Sequence, residues 1–202
     1  MPSPPPAPDP HDAEIRALVA RGEIDRATEQ ALRAYGPELI GWLGAILASE
    51  TDAYDAFSQL SEQLWKSLRA FEGRCSVRTW CYMLARQSAS AVRAQPRRRH
   101  EDLVPSVPSV AHAATHVWST TRQHASVVDD VYARIRRQLP EDDQTLLVLR
   151  VDRNLPWRDI ALVLLGGDAG DEALARKAAA LRKQFERVKD ELRRLAAEHL
   201  PR

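Results

Sequence analysis

Between Asp52 and Arg86 the chain reads as two amphipathic helices joined by a short loop that holds Gly73, and this pairing constrains the fold more than any other stretch. Ala53, Phe57, Leu60, Leu64, Leu68 and Phe71 recur at three- and four-residue steps, one apolar stripe. Asp52, Asp55, Gln59, Glu62 and Lys66 recur at the same steps on another face, a polar and mostly acidic strip. The second helix is expected to start at Ser76 and to bury Val77, Trp80 and Leu84, leaving Arg78, Tyr82, Arg86 and, beyond, Arg93 to look outward. One helix then shows carboxylates to a partner, and the next shows arginines and an aromatic ring. Such faces suit a protein that holds another protein and a nucleic acid together.

Charge balance alone does not announce a nucleic-acid binder, since Lys plus Arg number 29 and Asp plus Glu 28 in 202 residues, a formal net charge of +1. The charge is segregated instead: acidic from Asp52 to Glu62, basic from Arg93 to Arg99 and again from Arg176 to Arg194. Local patches set the field that a phosphate backbone meets. The cysteines, Cys75 and Cys81, stand six apart, a spacing of neither a zinc knuckle nor a redox motif, so reduced cytoplasmic thiols are expected. No run is apolar and long enough to span a bilayer, and the N-terminus lacks a signal peptide's hydrophobic segment. A soluble cytoplasmic protein without membrane insertion is the expectation.

In chain order, a proline-dominated tail over 1–11 is expected to be disordered. Helical patterning begins near Asp12 and runs, with a break at Gly22, to about Arg33; Gly36-Pro37 marks a turn, and Glu38 to Ala48 is helical again. Ser49 with Asp52 three residues on resembles a capping box that opens the acidic helix. The first domain, 12–95, is thus a helical bundle, stopped by Pro96 and followed by Arg97-Arg98-Arg99. Residues 96–125 show no sustained period and read as a flexible linker, because so long a structureless segment inside one compact domain would be unusual. His112 and His116 could share a helix face, but no third metal ligand accompanies them, so solvated loop histidines are expected and no metal.

The second domain, 126–202, opens on Ser126 and Asp129, another capping pattern, with Val128, Val131, Tyr132, Ile135 and Leu139 as its first stripe. A short helix over 141–150 follows. Pro156 stands at the start of the next, and Gly166 to Gly170 is a turn. From about Asp171, Leu174, Ala178, Leu181, Phe185, Val188, Leu192 and Leu195 recur at alternating fours and threes. Two helices joined by a glycine turn, the second basic, are what a helix-turn-helix requires. Arg176, Lys183 and Arg187 point away from the stripe, with Lys177 and Arg182 flanking it, where long cations can reach phosphates or guanine edges.

Asp52, Asp55, Phe57, Gln59, Leu64 and Trp65, then Phe71-Glu72-Gly73, then Ser76, Arg78-Thr79-Trp80, Tyr82 and Ala85-Arg86 form an ordered set. It resembles the core of bacterial RNA-polymerase sigma factors, and most closely their small two-domain extracytoplasmic-function (ECF) class. Arg33 to Leu39 resembles that class's first conserved helix, and Leu155 to Ala161 the opening of its promoter-reading helix-turn-helix, though the glycine turn is longer than the family usually has. The resemblance runs from about Ala13 to Ala196. It implies an all-α chain of two small helical domains and a non-catalytic subunit that needs no cofactor. Its implied partners are core RNA polymerase, promoter DNA and an anti-sigma factor. By that resemblance Asp52, Asp55, Gln59 and Glu62 dock on the polymerase. Arg74, Ser76, Arg78, Tyr82, Arg86 and Arg93 read and hold the melted −10 element, and Arg176, Lys177, Arg182, Lys183 and Arg187 read the −35 element. The alternative is a stand-alone helix-turn-helix regulator with an N-terminal protein-interaction bundle, which leaves the order of motifs from Asp52 to Arg86 unexplained. An enzyme is not expected, because no nucleophile motif, phosphate-cradling glycine loop or metal-ligand cluster accompanies the carboxylates.

Overall fold

A computed structural model describes residues 9–94, 138–167 and 169–199, without the side chains of 198 and 199. Every regular element among the described residues is helical, and the chain divides into two compact units. The first contains α1 (Pro10–Ala20), α2 (Ile24–Leu47), α3 (Glu50–Ser67, prolonged by a 3-10 turn over Leu68–Ala70) and α4 (Val77–Ala94). The second contains α5 (Glu141–Leu147), which runs into a π-helical turn (Val148–Asp152), then α6 (Trp157–Leu165) and α7 (Asp171–His199). The expected linker, the stripe from Val128 to Ile135, and His112 and His116 lie outside the described residues.

Two boundaries differ from the sequence reading. The tail expected over 1–11 gives way to helix at Pro10: Asp9 is the N-cap, its carboxylate accepting from the His11 amide at 3.0 Å. A proline at the first helical position loses nothing, since its missing N–H would have had no helical partner. The turn expected at Gly36-Pro37 does not form, and α2 passes through Pro37 as one helix. An interior proline costs about 3 kcal/mol. Here Pro37 and Arg33 are both exposed, so the carbonyl deprived of its donor lies on the water side. Tyr35, Leu39 and Ile40 on either side of the proline are buried, each contributing about 1.5–3 kcal/mol. Breaking the helix would forfeit more than continuing it.

α2 is the central element of the first unit, packed on α1, α3 and α4, while α3 also packs on α4. Ser49 caps α3, accepting from the Asp52 amide at 3.3 Å, and the expected stripe of Ala53, Phe57, Leu60, Leu64 and Leu68 is buried against these neighbours. In the second unit the stripe of α7 is likewise inward: Leu174, Ala178, Leu181, Val188 and Leu195 are all buried. α7 lies on α6, and its later part forms a cluster with Leu139 and Leu147. The Gln184 amide adds a hydrogen bond to Asp143 of α5 at 2.6 Å.

α2 ends on Ala48, an exposed alanine in the left-handed region (φ 51°) whose N–H donates to the Gly44 carbonyl. That conformation costs an L side chain about 1–2 kcal/mol, which glycine avoids. Ala48→Gly is therefore expected to raise the thermal midpoint, with a gain of about 0.5–1 kcal/mol in chemical denaturation after the extra entropy of the unfolded glycine is deducted.

Candidate nucleic-acid interface and acidic docking face

Between α3 and α4 the chain crosses a short loop, 72–76, whose shape is set by two side chains of α1. The Arg16 guanidinium donates through Nη2 to the Cys75 carbonyl at 2.5 Å and through Nη1 to the Gly73 carbonyl at 3.4 Å. Its Nε donates to Asp12 Oδ2 at 2.5 Å, and its plane lies 5.1 Å from the centre of the Phe71 ring. The other Asp12 oxygen, Oδ1, accepts from the Val77 amide at 2.5 Å, while Ser76 Oγ accepts from the Thr79 amide at 3.0 Å. Two amide groups in the first turn of α4, which have no helical acceptor, are thereby satisfied. Gly73 has φ +73°, and a Cβ there would fall 2.5 Å from Arg16 Nη1. Only glycine fits both the backbone and the neighbour.

Asp12 and Arg16 were not among the expected site residues. Their i, i+4 spacing signals a surface ion pair and nothing more. No local pattern connects them to a loop 57 to 65 positions away.

Two residues expected to face outward from α4 do not. Tyr82 is fully buried, edge-on to Trp42 with ring centres 5.6 Å apart, so it offers no stacking face to a base. α4 packs on α1, α2 and α3 at once, and its buried arc is wider than the single stripe that a periodicity argument finds. Arg78 is mostly buried, its side chain 24% exposed, and pairs through Nε and Nη2 with the two Glu38 oxygens, each at 2.7 Å. That carboxylate pushes the guanidinium further up from its ordinary value, against the opposing effect of burial. Both donors on that edge of the fork are thus engaged inside the unit. Trp80, expected to be buried, is half-exposed, with Nε1 donating to Ser67 and its ring edge-on to Phe71.

The other expected cations of this unit lie at the surface. Arg74 is exposed and bridged to Glu72, Arg93 is exposed and donates to the Ile46 carbonyl at 2.5 Å, and Arg86 is half-buried. On α3, Asp52, Asp55, Gln59 and Glu62 all remain partly exposed on one face, with Glu62 bridged to Lys66 at 2.6 Å. The acidic strip thus stays at the surface along its length.

In the second unit Gly166 (φ +93°) closes α6, its N–H donating to Leu162 at 2.9 Å, and α7 starts at Asp171. Arg158 of α6 pairs with Asp171 across the turn. Arg176, Arg182, Lys183 and Arg187 are exposed and Lys177 is half-buried, in line with the outward face expected of them. Arg176 pairs with Glu172 one turn back. Trp157 lies under two guanidinium groups, Arg150 at 4.8 Å and Arg182 at 5.9 Å, and edge-on to Phe185, which fixes the packing of α6 on α7. Among the described residues no cluster of His, Cys, Asp or Glu could hold a metal ion, and no helix is long and apolar enough to cross a membrane.

The two thiols differ sharply. Cys75 is half-buried in the loop, whereas Cys81 is buried in α4, and that burial pushes its thiol well above the ordinary range. At about pH 8 a thiol reagent is therefore expected to modify one equivalent, at Cys75, with Cys81 reacting only after unfolding. Peptide mapping of the labelled chain checks the assignment.

No family model matches the chain, and no solved structure matches it. The chain is similar to the RNA polymerase sigma-H factor of Pseudomonas aeruginosa, with 26% identity over 161 residues, covering 76% of this chain and 82% of that protein.

Proposed function

We propose that the protein is a sigma factor of the ECF class, a subunit that joins core RNA polymerase and directs it to promoters. The observation that carries this reading is the similarity to a sigma factor over 82% of that factor's length. The distribution of charge supports it. Asp52, Asp55, Gln59 and Glu62 form the docking face for a basic surface of the polymerase, where carboxylates mainly set on-rate and register. Arg74, Arg86 and Arg93 hold the phosphates of the melted −10 element, and Ser76 sets the exit of the loop by capping α4. Single strands suit such a surface, since arginines track the backbone without requiring a duplex groove. Burial of Tyr82 and the pairing of Arg78 with Glu38 give those two residues a structural part instead.

In the second unit α6 and α7 act as the helix-turn-helix that reads the −35 element, α7 lying in the major groove. Arg176 stands nearest the N-terminal end of α7 and specifies bases. Lys177, Arg182, Lys183 and Arg187 contribute mostly phosphate attraction. The two units, joined through residues 96–125, form separate domains, and the protein works in the cytoplasm. An anti-sigma factor is a fitting further partner for the same acidic helical surface.

Run-off transcription with core enzyme on a genomic fragment library tests the class and yields the promoter. A stand-alone regulator would give no core-dependent transcript and would not co-purify with polymerase. Reversing Asp52 and Asp55 to Lys is expected to weaken core binding while leaving helical content unchanged; unaltered affinity at moderate salt would remove the docking assignment. Arg176→Ala is expected to cost about 1–3 kcal/mol on the true −35 element and little on random DNA. Arg187→Ala should weaken both equally and flatten the salt dependence. Should Arg176→Ala weaken both alike, α7 presents a different face to the groove.

A further inference from the structure

Every second residue of the segment leading into α4 is tied to α1. The Phe71 ring lies against the Arg16 guanidinium, the Gly73 and Cys75 carbonyls accept from it, and the Val77 amide donates to Asp12. The residues between them face away: Glu72 and Arg74 are exposed, the Arg74 side chain 76% so, and Ser76 is half-buried. We propose that Asp12 and Arg16 are positioning residues for single-stranded DNA, holding loop 72–76 in the shape from which Arg74 meets the melted strand. The proposal rests on the sigma-factor reading of this loop.

The physical case is one of preorganisation. A loop of this length containing a glycine would sample many backbone conformations, and DNA binding would then have to supply the ordering free energy. Three donors of one guanidinium, aimed at Asp12 and at two carbonyls, remove that cost in advance. Only Arg supplies such a planar fork; a Lys ammonium is a point charge that cannot span the three acceptors. Nor is the pair part of the apolar core. Arg16 and Asp12 are 35% and 19% exposed, and shortening either side chain opens no cavity among the buried leucines. Losing the pair therefore frees the loop while the bundle stays folded.

The test uses the full chain and core RNA polymerase with Arg16→Ala and Arg16→Lys, read in three ways: thermal midpoint, amide hydrogen exchange over 72–77, and run-off transcription. The templates are the duplex promoter recovered from the fragment library and the same promoter with a mismatched, already open bubble. Arg16→Ala is expected to speed exchange over 72–77 on the order of tenfold and to lower duplex transcription on the order of tenfold. Transcription from the open bubble should fall less than about threefold, because base pairing no longer has to be overcome at the expense of loop contacts. Arg16→Lys should not rescue. Unchanged exchange overturns the proposal, as does wild-type transcription by Arg16→Ala on the duplex. Equal losses on both templates with a lowered midpoint indicate general destabilisation and also overturn it. A wild-type protein that gives no transcript with core polymerase instead refutes the sigma-factor reading, and the DNA role of the pair falls with it.

Discussion

The first unit depends on α2 remaining one helix through Pro37. Tyr35 and Gly36 before the proline, and Leu39, Ile40, Trp42 and Leu43 after it, are buried. Because the helix continues, these residues keep a single register against α1, α3 and α4. Glu38, the residue directly after the proline, is thereby delivered to Arg78 of α4, and Trp42 to Tyr82. A turn at Gly36-Pro37 would uncouple the two halves of that surface, leaving the Arg78 guanidinium mostly buried without its carboxylate. Removing one partner of such a pair costs far more than the pair itself contributes.

Charge in this protein falls into two groups with different energetics. Arg78 with Glu38 and Arg16 with Asp12 are shielded, geometrically specific and tied to neighbouring helices, so they define shape. The pairs along α7 are exposed and local: Arg176 with Glu172, Lys189 with Glu186, Arg193 with Asp190 and Arg194 with Glu191. Exposed pairs at i, i+3 and i, i+4 spacing contribute little, because water screens them. Such pairs open at little cost, which leaves α7 rigid along its apolar stripe and its cations at the surface on the other side.

Where an element has one buried face, its sequence already carried the answer. The stripes of α3 and α7 are inward as their spacing predicts, and the charged faces opposite them remain at the surface. The cap at Ser49, the start of α4 at Ser76 and the break at Gly22 were legible for a similar reason: each is decided within one turn of chain. The all-α class, the acidic strip and the cations of α7 therefore belong to the sequence alone.

What only the tertiary structure decided are the features that depend on several elements at once. α4 is enclosed by α1, α2 and α3, so its buried arc takes in Tyr82 and Arg78, and a periodicity that assumes one buried side puts both in solvent. Pro37 stays helical because the packing around it outweighs a local penalty, a balance no local rule can weigh. Asp12 and Arg16 read in sequence as an ordinary surface pair, and become the anchor of loop 72–76 because folding brings α1 against a segment 57 to 65 residues later. Short-range spacing determines which faces are apolar or charged; which faces meet, and how much of each is enclosed, is set by contacts between residues far apart in the chain.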